Sequence, residues 1–481
     1  MGRTIIRRIT VIVGLFLAAA CCEAQSPNES TVAPQRVPLD PVEYDTTHSF
    51  IIYDSNHLYF SSDTSKFAIF ARKWHEVTTS RKGIINIVQI GASHVQGGTF
   101  PHRIRRNFLL PYSDFLSDRG MIFPYSAAVK CNNPFDYKVL RTRPLDLTRN
   151  VYKEPAEQLG LCGIAVTAAD SAAEIKMKMN EPELSWATNE IVLLGESRGG
   201  VMPQLRISTE SNDSLLILPT AVDKKLRRYT FQLPATVDSF SIVLQCDSGQ
   251  AFAVTGVYMA NGNNGISFHS IGVNGASLND YLRKCPYFTT DLQMLKPDMV
   301  IFGIGINDAS GPNFDTVVFK NSYLQLVDSV RSVNPDCVFV FVTNNDSYKK
   351  SKKKYFVNNN GELARQAFYR IAEETGGAVW DQFAIMGGLR SMETWYKNGL
   401  AQRDRVHFSR AGYELLGDML SNAIFEALRR QTANLGPSVQ QPPDSTTTNR
   451  KALYKGNNSK SNNKKTNTAN REDERPAYIL Y

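Results

Sequence analysis

The sequence predicts an α/β protein, a parallel sheet covered by helices on both faces, with an antiparallel β-sandwich inserted into it. Three observations predict this. Short apolar strands alternate with amphipathic helices over residues 84–110, and the same alternation returns from Met299 to Leu428. Between them, from about Cys162 to Met259, one β-patterned run follows another with no helical period. Gly, Pro, Asn and Asp separate those runs, which is the spacing of a sandwich of about eight strands.

Composition bounds the rest. The chain has 481 residues and is 42% hydrophobic, 10% aromatic and 21% charged, ordinary values for a globular protein with a sizeable core. Wholesale disorder, a collagen and a small disulfide scaffold are excluded, and only the N-terminus has a long apolar run. The net charge of +8 is mild, and part of it lies at the ends, in Arg3, Arg7 and Arg8 and in Lys451, Lys455, Lys460, Lys464 and Lys465. No basic patch interleaved with aromatic residues stands out, so no nucleic-acid partner is expected.

Taken in order, residues 1–24 read as an export signal. Three arginines precede the apolar stretch Ile9 to Ala20, which is shorter than the ~20 residues of a membrane span, so no transmembrane segment is expected after processing. Cleavage after Ala24 competes with a loose lipobox, Leu17-Ala18-Ala19-Ala20-Cys21, in which Cys21 would carry a lipid anchor. Either way the protein is exported, to the periplasm or the cell surface. Residues 25–80 form a segment whose aromatics, among them Phe67, Phe70 and Trp74, pack on the body. Residues 81–130 and 262–432 make the α/β domain, residues 131–261 the inserted sandwich, and residues 433–481 a polar, Lys-rich disordered tail.

Within this frame Ile84 to Ile90 is a buried strand. Residues 99–110 form a helix with Ile104 and Leu109 inward and Arg103, Arg105 and Arg106 outward. Met299 to Ile306, Cys337 to Thr343 and Ala378 to Trp380 are further strands. Val317 to Val333, Glu362 to Glu374 and Tyr413 to Leu428 are helices. Beyond the export signal five cysteines remain, Cys131, Cys162, Cys246, Cys285 and Cys337. They lack C-x-x-C spacing, so no zinc site is expected, and an odd count leaves room for one or two disulfides. His102 and His269 have no ligand partners at metal spacing.

Three clusters carry chemistry. Gly91-Ala92-Ser93-His94 follows the first strand and exposes a serine at the carboxyl edge of the sheet. Gly303-Ile304-Gly305-Ile306-Asn307-Asp308 brings a side-chain amide to that same edge, where it can donate to an oxyanion. Asp404-Arg405-Val406-His407 precedes the last helix and offers a carboxylate that can orient an imidazole base. Each alone fits a cap, an Asx-turn or a structural histidine.

In this order the three clusters resemble the SGNH, or GDSL-type, hydrolase family. The resemblance implies a three-layer α/β/α SGNH-hydrolase domain. It implies Ser93 as nucleophile, His407 as base and Asp404 as its orienting carboxylate. The oxyanion hole it implies is the Ser93 N–H, the Asn307 amide and a glycine N–H from the block Ile271–Ser277, with Gly275 the choice and Gly272 the fallback. His94 is a candidate for substrate contact. The family's first block usually reads Gly-Asp-Ser, and Ala92 replaces that Asp, which implies a lower rate or an altered turn.

A narrower likeness lies in Gln89–Gln96, Arg103–Arg106, Gly120–Tyr125 and Met386–Met392. These resemble the branch of exported peptidoglycan O-acetylesterases that carries a carbohydrate-binding-like sandwich between the first two blocks. The expected function is therefore a serine esterase that removes O-acetyl groups from a carbohydrate polymer, with an acetylated glycan as partner and neither cofactor nor metal required. A lipase of the same family and a non-catalytic glycan-binding protein with a degenerate core are the alternatives. Gly195-Glu196-Ser197-Arg198-Gly199 satisfies the Gly-x-Ser-x-Gly nucleophile-elbow pattern, but β-patterned residues follow where a helix is needed, so it is expected to be a turn within the sandwich.

Overall fold

A computed structural model describes residues 39–433, apart from 62, 185, 187 and 209–212. The expected export signal, the Cys21 anchor and the C-terminal tail lie outside the described residues. No helix among those described is long and apolar enough to cross a membrane.

A six-stranded sheet organises the α/β part. Its order is Leu58–Phe60, Ala378–Trp380, Val338–Val342, Met299–Gly303, Ile84–Gly91, Gly265–Gly272. All neighbours are parallel except Leu58–Phe60, which pairs antiparallel at one edge. The central strands are apolar on both faces: every residue of Val338–Val342 is buried. Such strands require cover on both sides. Ser65–Ser80, Thr99–Leu109 and Arg410–Thr432 pack on one another as one helical layer, while Leu278–Lys284, Thr316–Arg331 and Asn360–Thr375 form another.

The middle of the chain builds two antiparallel sheets. One has five strands in the order Ser214–Ile217, Gln204–Ser208, Ser239–Leu244, Ala173–Met179, Tyr137–Arg141. The other is built around Thr188–Arg198 and Ala251–Ala260 and takes in Gly120–Ile122, ahead of the sequence-based boundary at 131. Ala173–Met179 alternates buried and solvent-facing residues, which gives that strand one apolar face. A continuous apolar core runs from Ile85 and Phe302 to Phe252 and Ile175.

Several expectations are corrected. Arg105 does not face outward; it is 1% exposed. It contacts Asp136 and Glu181, and Arg119 joins them at 2.8 Å and 3.1 Å. Two buried arginines facing two buried carboxylates tie helix Thr99–Leu109 to the loops that flank the antiparallel sheets. Breaking such a pair typically costs about 3–5 kcal/mol. Residues 195–198 are not a turn but the end of strand Thr188–Arg198. Only Gly199 and Gly200, both at positive φ, turn, and the Ser197 hydroxyl donates to the Val201 carbonyl. The five cysteines from Cys131 on are free and buried rather than disulfide-bonded.

Candidate active site

The parallel sheet decides where the site forms. Ile84–Gly91 lies between Gly265–Gly272 and Met299–Gly303, so the loops leaving three adjacent strands emerge side by side at one carboxyl edge. Gly91 is in register with Gly272 on one side and Gly303 on the other. A Cβ on Gly91 would stand 2.3 Å from Val95 Cγ2 and 2.9 Å from the Gly303 carbonyl oxygen. One on Gly272 would meet the Gln96 nitrogen at 2.6 Å. This row of glycines lets the helical turn Ser93–Gln96 settle onto the strand ends and bring Ser93 down to the rim.

Ser93 Oγ lies 2.8 Å from His407 Nε2, and His407 Nδ1 lies 2.7 Å from Asp404 Oδ2. The other oxygen of Asp404 accepts the backbone N–H groups of Val406 at 2.9 Å and His407 at 3.0 Å. The carboxylate therefore shapes the loop as well as the ring. Burial works against the charge on Asp404, but the His407 ring N–H and those two backbone donors hold its pKa below the ordinary value. An ionised Asp404 can only accept, so His407 carries its proton on Nδ1 and leaves Nε2 to accept from the Ser93 hydroxyl. Arg405 takes the left-handed conformation at φ 58° that bends Asp404 back toward His407. Its guanidinium stacks on Tyr396 at 3.7 Å and pairs with Glu393 at 3.1 Å, contacts that offset the strain.

The expected oxyanion donors lie on the loops that leave three adjacent strands at this edge. No acceptor among the described residues takes the Ser93 or the Gly275 N–H. Gly275 is exposed in a left-handed turn, φ 84°, beyond its strand, whereas Gly272 is still within the sheet. Asn307 Nδ2 donates one hydrogen to the Ala276 carbonyl at 2.9 Å, which leaves the second available. Asp308 accepts the Leu278 N–H at 3.1 Å and so clamps the Gly275 loop to the Asn307 loop. Burial raises the Asp308 pKa to about 7.

Sequence reasoning missed the residues that hold these loops. Gln96 Oε1 accepts the Asn274 N–H at 2.7 Å, Arg149 donates to the Asn274 carbonyl at 3.0 Å, and Asn345 Nδ2 donates to the Val406 carbonyl at 3.0 Å. Only the run Thr343-Asn344-Asn345-Asp346, placed straight after a strand, signalled polar groups at the carboxyl edge. His94, a candidate for substrate contact, is part-buried and packs against His407 and Tyr413. Its Nδ1 is 2.8 Å from the Tyr413 hydroxyl, and its ring lies 5.1 Å from that of His407. Burial first, and the neighbouring His407 second, depress its pKa to about 3, so it is neutral. Ala92, where the family carries Asp, is 1% exposed, a position suited to a methyl group and costly for a carboxylate.

His102 also needs correction. It lies 3.3 Å from Glu181 and 4.0 Å from Asp136, a three-ligand grouping invisible in the spacing. Arg105 and Arg119 already neutralise both carboxylates there.

A serine, an imidazole and a carboxylate in hydrogen-bonded series at the edge of a parallel sheet are the arrangement of a serine ester hydrolase. Residues 245–415 match the family model of the GDSL-like lipase/acylhydrolase family, a span that includes Gly275, Asn307, Asp404 and His407. Among solved structures, one of a peptidoglycan O-acetylesterase in action aligns with a TM-score of 0.63 and 20% identity over 78% of this chain and 99% of that one. An acetylxylan esterase from Geobacillus stearothermophilus aligns with a TM-score of 0.26 and 22% identity over 35% of this chain and 73% of that one. A family two carbohydrate esterase from Clostridium thermocellum gives a TM-score of 0.24 and 14% identity over 59% and 96%. No curated protein matches the sequence significantly.

Proposed function

We propose that the protein removes O-acetyl groups from a carbohydrate polymer, with peptidoglycan the leading candidate. The observation that carries this reading is the unbroken series Ser93–His407–Asp404 beside unpaired N–H donors. Ser93 Oγ attacks the acetyl carbonyl while His407 Nε2 takes its proton. The Ser93 and Gly275 N–H groups and the Asn307 amide stabilise the tetrahedral oxyanion. His407 then returns the proton to the departing sugar hydroxyl, which leaves an acetyl ester on Ser93. Water, deprotonated by His407, attacks that ester, and collapse releases acetate and restores the serine.

Under this reading the two antiparallel sheets form a sandwich that helps hold the glycan. The enzyme works outside the cytoplasm, after export directed by residues 1–24. The peptidoglycan O-acetylesterase with the same overall fold supports the glycan part of the proposal.

The test is Ser93→Ala. It should abolish both p-nitrophenyl acetate hydrolysis and acetate release from O-acetylated peptidoglycan, and it should prevent labelling by a fluorophosphonate probe. Wild-type activity on p-nitrophenyl acetate without release from any acetylated glycan would leave the esterase and refute the glycan.

A further inference from the structure

Residues 348–356 read Tyr-Lys-Lys-Ser-Lys-Lys-Lys-Tyr-Phe, a basic patch interleaved with aromatics that corrects the sequence-based expectation of none. They form a two-stranded hairpin, Tyr348–Ser351 paired with Lys354–Val357. None of its five lysines pairs with a carboxylate among the described residues, and Lys350, Lys352, Lys353 and Lys354 are exposed. The turn residues Lys352 and Lys353 both have positive φ, at 46° and 67°. A two-residue turn of that type favours Asn-Gly. Two lysines there are a poor choice for folding and a good one for projecting charge.

The hairpin's base is bound to the active-site loops. On one leg the Tyr348 N–H donates to the Arg405 carbonyl at 3.0 Å. Tyr355 lies 4.5 Å beneath the Arg405 guanidinium, two residues from His407. On the other leg Asn358 and Asn360 donate to the Ala309 carbonyl at 3.2 Å and 2.9 Å, two residues beyond Asn307. The hairpin thus rises between the loop of the base and the loop of the oxyanion donor. Across the strands Lys349 is opposite Phe356, which is 53% exposed, so one face carries Lys349, Lys354 and a bare aromatic ring.

We propose that this hairpin is an electrostatic docking surface for a carboxylate-bearing glycan strand, which it steers to and holds beside Ser93. The proposal rests on the glycan reading of the active site and selects an anionic polymer over a neutral one. Unpaired lysines attract carboxylates over about 10 Å at moderate salt. An exposed aromatic ring suits the apolar face of a sugar. Any chain held there lies beside the loops that carry His407 and Asn307.

The test is a variant that keeps the hairpin and removes its charge: Lys349→Gln, Lys350→Gln, Lys352→Asn, Lys353→Gly and Lys354→Gln, with an all-arginine version as rescue. Co-sedimentation with insoluble O-acetylated peptidoglycan is measured at low and high salt, together with kinetics on that polymer, on neutral acetylxylan and on p-nitrophenyl acetate. Wild-type binding should weaken with salt, and the neutral variant should bind about tenfold more weakly at low salt. Its KM for the anionic polymer should rise while kcat holds, its hydrolysis of the two neutral substrates should not change, and arginine should restore binding. Equal binding by wild type and variant, or equal losses on acetylxylan, would overturn the proposal. So would a loss confined to duplex DNA or anionic vesicles. Binding is also measured with the Ser93→Ala protein, so failure of acetate release refutes the esterase reading without deciding the dock.

Discussion

Asp404→Asn separates the two jobs of this carboxylate. In the wild type Asp404 Oδ1 accepts the Val406 and His407 N–H groups at 2.9 Å and 3.0 Å, while Oδ2 faces His407 Nδ1 at 2.7 Å. The asparagine oxygen can keep both backbone bonds, so the loop survives. Its NH2 group then faces Nδ1 and forces the imidazole to accept there. The ring proton moves to Nε2, and the nitrogen 2.8 Å from Ser93 Oγ can no longer take the serine proton. A wrong tautomer in such a triad lowers turnover about 10⁴-fold, or about 5 kcal/mol at the transition state. The assay is kcat for p-nitrophenyl acetate near neutral pH, with thermal unfolding measured alongside. Asp404→Asn should lose the activity and keep its stability. Asp404→Ala should lose both, because removing two backbone bonds costs about 2 kcal/mol. An Asp404→Asn enzyme within tenfold of wild type would refute the assignment of Asp404 as the group that fixes the tautomer.

Further predictions follow from the same geometry. Asn307→Ala should lower kcat for p-nitrophenyl acetate by about 10²–10³ with little change in KM, because the lost donor acts on the oxyanion. His94 has a pKa depressed by burial, so its contribution to stability is present above 6.5 and lost as pH falls toward about 3. His94→Asn should therefore flatten acid destabilisation relative to wild type, by about 2–3 kcal/mol between pH 6.5 and 4.5, as read by denaturant melts. Asp308 is the opposite case: its pKa is raised, so its contribution is complete below the ordinary carboxyl range and lost as pH rises through about 7. Asp308→Asn should gain about 2–3 kcal/mol on wild type between pH 5 and pH 8, checked by the same melts at the two values.

Much of the α/β framework was legible because its strands are buried on both faces. Val338–Val342 and Ala378–Trp380 are continuous apolar runs, and no other reading suits segments so short. Ser93, Asn307, Asp404 and His407 could be singled out because each sits in a short pattern next to a strand end or a helix start. Arg105 was misread for a physical reason. Helical periodicity reports one helix against a generic core, and it cannot see that Asp136, Glu181 and Arg119 arrive from other segments to make a polar interior. The lysine hairpin escaped notice because its turn breaks the usual rule, with Lys-Lys where Asn-Gly would announce itself. His94 was ambiguous for the same reason as Arg105: its partner Tyr413 is 319 residues away.

The free cysteines have a practical consequence. Burial pushes the thiol of Cys131 up to about 11 and that of Cys285 up to about 12, and it raises Cys162, Cys246 and Cys337 in the same direction. A protonated, enclosed sulfur is a poor nucleophile. The described residues hold no disulfide to be formed on folding, and an alkylating reagent gains access to these thiols only when the structure opens. The sulfurs thereby act as an internal clock: their rate of modification reports how often each region unfolds, while the reactive serine remains available to a different class of reagent.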